Sequence, residues 1–159
     1  YLAKIETKYW IEYICKRFEN TGKHISPELA EEICRLVDNH SSYVQQLSWL
    51  LWIRTINTAT TEQLSYALED LLDQNNILFQ SETENLSAYQ MNFLKAIVDG
   101  IHTKFSSKEV ISKYNLGTSA NIVRLKNALL QKELIETNGK EIVLADPVFG
   151  VWFKKEMLY

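Results

Sequence analysis

Residues Thr118 to Asp146, TSANIVRLKNALLQKELIETNGKEIVLAD, decide the fold. Ile122, Leu125 and Leu129 recur at helical spacing and define one apolar face. Leu134 and Ile135 begin a strand. Asn138-Gly139 is a hairpin signal, and Ile142-Val143-Leu144 is the return strand. A helix followed by a two-stranded wing is the second half of a winged helix.

The first half lies just upstream. Ser87 and Gln90 form a capping box, followed by an amphipathic stripe of Met91, Leu94, Ile97, Val98 and Ile101. Ser106 and Glu109 form another, with Val110, Ile111 and Tyr114 inward. Leu116-Gly117 turns the chain into the decisive helix. After the wing, Asp146 can cap a last helix with Pro147 in its first position, so that Phe149, Trp152 and Phe153 fold back on the core.

The preceding residues read as a helical unit. Trp10, Ile14 and Phe18, with Tyr13 beside them, share one face of a helix over Lys8–Asn20 that Gly22 ends. Ser26-Pro27 opens a second helix with Leu29, Ile33, Leu36 and Val37 inward. A third begins near Ser41 and extends to about Asn57. Thr60 and Gln63 box a fourth, with Leu64, Ala67, Leu68, Leu71 and Leu72 inward. The third is apolar almost all round over Leu47–Ile53, where a bundle helix needs one wet face. It is either central or covered by something outside this unit.

The expected fold class is therefore mainly α: a four-helix bundle over residues 1–85, then a winged helix-turn-helix with a short β-hairpin wing over 86–159. The 159 residues are 46% hydrophobic and 23% charged, a globular composition, and 5 Gly and 2 Pro leave room for few turns. No run approaches the length of a membrane span. The start, YLAKIETKYW, carries no secretory leader pattern and no initiator Met, so a longer parent chain is expected upstream of Tyr1. Cys15 and Cys34 sit in apolar helical patterns and read as buried reduced thiols of a cytoplasmic protein.

Charge divides unevenly. Residues 1–86 hold 7 Lys/Arg and 13 Asp/Glu, a net of −6; residues 87–159 hold 10 and 7, a net of +3. The decisive helix offers Ser119, Asn121, Arg124, Lys126 and Asn127 as DNA-contacting candidates. Arg and Asn can bond base edges and Lys can neutralise phosphate. A net of +3 is thin for a dedicated binder, which carries a clustered basic stripe. Winged helices also act as protein-contact modules.

No chemistry-bearing constellation emerges. There is no G-x-x-x-x-G-K-[ST] loop to cradle phosphates, no G-x-S-x-G, no H-E-x-x-H and no Cys/His cluster. His24, His40 and His102 are spread too far in sequence to suggest a metal set. Neither catalytic nor metal-binding residues are expected.

Val37-Asp38-Asn39-His40-Ser41-Ser42-Tyr43-Val44-Gln45-Gln46-Leu47 is similar to the "hPyyvqql" stretch that opens a lid helix in archaeal-type AAA+/STAND P-loop ATPases. The winged helix and Asp146-Pro147-Val148-Phe149-Gly150-Val151-Trp152 resemble that family's C-terminal segment, with its "DPvf..W" ending. The resemblance runs along nearly the whole chain. It implies a parent of three parts: a nucleotide-binding α/β core, a helical lid and a winged helix. This chain would hold the last two and be non-catalytic alone, with ATP and Mg belonging to a parent ATP hydrolase. It also implies that Asn39, His40, Ser41 and Tyr43 approach the nucleotide. Two departures stand out. Ser41 replaces the family's Pro, and no Arg lies between Arg35 and Arg54 to sense a γ-phosphate, which favours a lid that responds through packing. The implied partners are the N-terminal ATPase core and, through the winged helix, DNA or a protein. The alternative is a stand-alone winged-helix DNA-binding regulator with a helical dimerisation domain.

Overall fold

The structure, a computed structural model, describes residues 3–158. Its elements are α1 (Thr7–Glu19), α2 (Pro27–Leu36), α3 (Ser41–Arg54), α4 (Thr61–Glu84), α5 (Ala88–Val98), α6 (Lys108–Tyr114), α7 (Ser119–Gln131), β1 (Ile135–Asn138), β2 (Glu141–Leu144) and α8 (Pro147–Met157). They form two compact units, Tyr1–Asn76 and Ile77–Tyr159. The division falls inside α4, ahead of the 85/86 boundary read from the sequence. The last turns of α4 belong with the second unit because Phe79 packs edge-on against Phe149 and tilted against Trp152 of α8.

In the first unit, Trp10, Ile14 and Phe18 of α1 meet Leu29, Ala30, Ile33 and Cys34 of α2, and Val44, Leu47, Leu50 and Leu51 complete the core from α3. Ser26 caps α2 by accepting from the Leu29 N–H at 3.1 Å. Thr60 and Gln63 exchange both bonds of their capping box, at 3.0 and 3.1 Å.

The third helix is shorter than expected. It stops at Arg54, and the chain then runs back extended. His24 donates to the Asn57 carbonyl and accepts from the Ala59 N–H, each at 2.8 Å. This isolated parallel bridge, His24 to Thr58, pairs the backbone groups of the extended segment after α3.

The second unit is organised on α5, which touches α6, α7, α8 and β2. Its capping box, Ser87 with Gln90, is present. Helical spacing marked Met91, Leu94, Ile97 and Val98, but the fully buried set is Phe93, Leu94, Ala96 and Ile97. Phe93 belongs inside because Phe105, from the loop after α5, stacks on it with ring centroids 4.5 Å apart. The next helix is capped by Ser107, which accepts from the Val110 N–H, and not by Ser106. Asn115, in the left-handed region at φ 53°, ends α6, and Gly117 follows at φ 87°.

The hairpin pairs Ile135 with Leu144 and Asn138 with Glu141. Its two-residue loop is therefore Gly139-Lys140, one position later than the Asn138-Gly139 signal suggests. Gly139 supplies the positive φ, 63°, that the turn demands. The free edge of β2 is occupied by His102. Its carbonyl accepts from the Ile142 N–H at 2.8 Å, and its ring Nδ1 donates to the Ile142 carbonyl at 3.0 Å. A carbonyl only accepts, so the Nδ1–H form is fixed. Asp146 caps α8 through the Val148 and Phe149 N–H groups.

Two outcomes follow for stability. Phe93→Ala removes a fully buried ring and the stack on Phe105, so urea unfolding of the second unit should lose about 3–5 kcal/mol. Glu82 has its carboxyl pKa raised by burial and then by the charge of Asp146. Its contribution to stability is complete below the ordinary glutamate value and disappears as pH rises through the raised value. Glu82→Gln should therefore raise the melting temperature at pH 7, and the gain should vanish below pH ~4, the ordinary carboxylate range. Thermal scans at the two pH values check it.

Candidate functional site

Two places gather the side chains that the sequence marks for function. The first is the start of α3. After α2 the chain passes through Asp38 and Asn39, both at positive φ. The Asn39 N–H returns to the Cys34 carbonyl at 2.9 Å and the His40 N–H to the Val37 carbonyl at 3.0 Å, which closes α2. The Asn39 side chain is then anchored, with Nδ2 donating to Thr7 Oγ1 at 2.9 Å.

His40 is the N-cap residue of α3 and makes no side-chain capping bond. Its ring lies on that of Tyr43, centroids 4.7 Å apart. Its Nδ1 is buried without a hydrogen-bond partner. Ser41 is exposed and Tyr43 half-buried. The four residues thus lie at one helix terminus, where first-turn N–H groups and the positive dipole end favour an anion. Asn39 differs from the others because its side chain is already committed to the scaffold.

The second place is α7. Ile122, Leu125 and Leu129 are buried as their spacing predicts. Ser119, Arg124 and Asn127 are exposed, and Val123, between them on the outward strip, is 63% exposed. Lys126 is half-buried at the edge of the core face. Asn121 turns inward: its Nδ2 donates to the Leu116 carbonyl at 3.1 Å and lies against Gly117. Asn92 of α5 likewise donates to the Asn115 carbonyl at 3.1 Å. Together these two amides hold the turn between α6 and α7. The sequence singled out Asn121 for its chemistry and passed over Asn92. Asn115 was legible, because Asn tolerates the left-handed conformation better than other non-glycine residues do.

The thiols are not poised for chemistry. Burial pushes Cys34 up to about 11. Cys15 is also raised, by burial and then by Glu19 and Glu28. Neither is a thiolate at neutral pH. Among the described residues, no group of three His, Cys, Asp or Glu side chains is placed to hold a metal ion. No helix among them is long and apolar enough to cross a membrane.

Residues 77–155 match the family model described as "Probable winged helix domain". The second unit is a winged helix. Over both units, the fold is similar to that of the Walker-type ATPase PABY2304 of Pyrococcus abyssi. The TM-score is 0.70 at 18% identity, and the match covers 95% of this chain and 42% of that one. The chain therefore spans less than half the length of that ATPase. No curated protein matches it significantly. The resemblance read from Val37–Leu47 and Asp146–Trp152 agrees with this likeness in fold, and the winged helix holds 10 Lys/Arg and 9 Asp/Glu over residues 77–159, close to neutral.

Substitutions on α7 should separate scaffold from surface. Asn121→Ala loses the bond that holds the turn and should cost about 1 kcal/mol. Arg124→Ala should stay within about 0.5 kcal/mol. Chemical denaturation of the two variants in parallel checks the contrast.

Proposed function

We propose that this chain is the helical lid and winged helix of a cytoplasmic AAA+-type P-loop ATPase, coupling the nucleotide state of an N-terminal core to engagement of a partner. The observation that carries the reading is the likeness in fold to a Walker-type ATPase, which runs through both units and leaves more than half of that ATPase unmatched. The core would bind ATP and Mg and perform the hydrolysis. This chain would contribute no catalytic group.

Within the lid, the first turn of α3 is the part that would approach the nucleotide. Asn39, bonded to Thr7, holds the loop. His40, Ser41 and Tyr43 would present ring faces, a hydroxyl and helix-terminal N–H groups. The absence of an Arg between Arg35 and Arg54 supports closure through packing over a direct salt link to phosphate. Closure would shift a population between open and closed forms, and the winged helix would move with it.

The winged helix would take DNA or a protein. Its outward strip on α7 sets Arg124 beside exposed Val123, and the unit is nearly neutral. That balance supports a protein partner over duplex DNA, whose binding rests on neutralised phosphates.

The native coding sequence upstream of Tyr1 should encode a Gly-rich loop ending in Lys-Ser/Thr. In the protein so completed, replacing both His40 and Ser41 by Ala should weaken ATP binding about fivefold or more, the size of a coupling between sites. A start codon within a few residues of Tyr1 would end the lid reading. On labelled duplex DNA, fluorescence anisotropy should show only non-specific binding, on the order of 10⁻⁴–10⁻⁶ M at physiological salt. Tighter binding that falls steeply with salt and is lost in Arg124→Ala would favour the stand-alone regulator instead.

A further inference from the structure

The first unit carries a feature that its core does not explain. A groove of about 570 Å³ lies between α1 and α3, lined by Tyr13, Ile14, Arg17, Phe18, Thr21, Gln45, Gln46, Ser48, Trp49 and Trp52. Its walls are two helical ridges. Tyr13 and Arg17 stand four residues apart on α1, and Gln45, Trp49 and Trp52 are spaced four and three apart on α3, so each set shares a face.

The wall at Trp52 is fixed. Its Nε1 donates to Thr21 Oγ1 at 2.8 Å, and Thr21 Oγ1 in turn donates to the Phe18 carbonyl at 3.0 Å. Lys23 bonds the Trp52 carbonyl at 2.7 Å and lies 4.0 Å from the ring centroid. Trp49 is 58% exposed, and the apolar surface continues along α3 through Ile53 to Ile56, which is 82% exposed. An apolar patch with one preformed wall is what an interaction surface looks like.

Charge says what fits it. Residues 1–76 carry 7 Lys/Arg and 11 Asp/Glu, a net of −4, yet no acidic side chain lines the groove. Lys4, Lys8, Arg35 and Arg54 are paired with carboxylates. Among the described residues the cations of this unit without an ion pair are Lys16, Arg17 and Lys23, and they cluster at the end of α1 and just beyond it. Arg17 lies 5.5 Å from the centroid of the Tyr13 ring and faces the groove without a carboxylate. An acidic unit that keeps its acids out of one groove, and lines it with the unpaired Arg17 while Lys23 lies over Trp52 of its wall, is complementary to an incoming carboxylate.

We propose that the groove between α1 and α3 docks an amphipathic helix whose apolar ridge packs between Tyr13 and Trp49 and whose carboxylate pairs with Arg17. Two helical ridges receive a third helix by the packing of ridges into grooves, with apolar anchors at i, i+3, i+4 and i+7. In the lid reading, the helix is supplied by the ATPase core, and to that extent the proposal rests on that reading. Exposed Ile53 and Ile56 follow Trp49 outside the groove's lining, which suits a helix better than a small ligand confined to the groove.

The test uses this chain alone. The probe is a synthetic helical peptide with Leu at i, i+3, i+4 and i+7 and Glu at the flanking positions, and its control carries Lys in place of Glu. The expected result is movement of the Trp49 and Trp52 indole N–H signals with the Glu peptide, weakened about tenfold or more in Arg17→Glu and in Trp49→Ala, and weakened by salt. Both substituted side chains are exposed, and unchanged circular dichroism would verify folding. Equal binding of the two peptides, no movement of the indole signals, or movement with ATP in place of the peptide would each overturn it. The outcomes separate from those of the lid reading. Failure here leaves an upstream nucleotide loop untouched, and success with a start codon at Tyr1 would keep the docking groove while removing the lid.

Discussion

The winged helix depends on the burial of a single helix on several sides. α5 has α6, α7, α8 and β2 against it, and Tyr89 and Lys95 are among the few of its residues that stay exposed. Phe93, Leu94, Ala96 and Ile97 all lose water. A helix placed this way fixes its neighbours because close-packed interiors transmit small changes in volume. The α6–α7 turn is then tied back to it by the Asn92 amide, and the last helix closes the other side with Phe149, Trp152 and Phe153. The wing is held by its own ladder and by His102 on the open edge of β2, which covers backbone groups that a two-stranded ribbon leaves exposed.

The first unit solves a different problem. Its third helix buries Val44, Leu47, Leu50 and Leu51 and still presents Trp49 and Ile53 to water. Those large apolar groups contribute nothing to the unit's own core. Beside them, Trp52 is held in place by its bond to Thr21, by Thr21's bond to the Phe18 carbonyl, and by Lys23. Ordering a tryptophan at a surface costs conformational freedom, and a docked partner is a physical reason for that order. The nucleotide-facing role proposed for the start of α3 and the docking role proposed for its flank lie on one rigid helix. A partner's position and a nucleotide's presence would therefore act on the same element.

Much of the candidate site was legible, but not its division of labour. The family resemblance singled out Asn39, His40, Ser41 and Tyr43, which the structure places at one helix terminus, and helical spacing put Ser119, Arg124 and Asn127 on the exposed part of α7. They did not show that the Asn39 and Asn121 amides are spent inside the structure, on Thr7 and on the Leu116 carbonyl. An amide that can bond a ligand can equally bond a neighbouring backbone group, and only the position of the neighbour separates the two. The groove between α1 and α3 was half legible: the apolar run Leu47–Ile53 required a central helix or a covered face, while nothing in the sequence set Arg17 apart.

By itself the sequence determined the order and kind of the elements: four helices, then helix, helix, helix, hairpin and a closing helix. Local rules suffice there, since capping residues, helical periodicity and a hairpin glycine act over a few positions. Tertiary structure alone decided where α3 ends, that Phe93 is core, that the turn of the wing is Gly139-Lys140, and that the compact units divide within α4. Three of these are set by a partner distant in sequence: His24 for the segment after α3, Phe105 for Phe93, and α8 for Phe79; the turn of the wing follows from the register of β1 on β2. Pairing across such distances is fixed by the packing of the whole unit, which no local window contains.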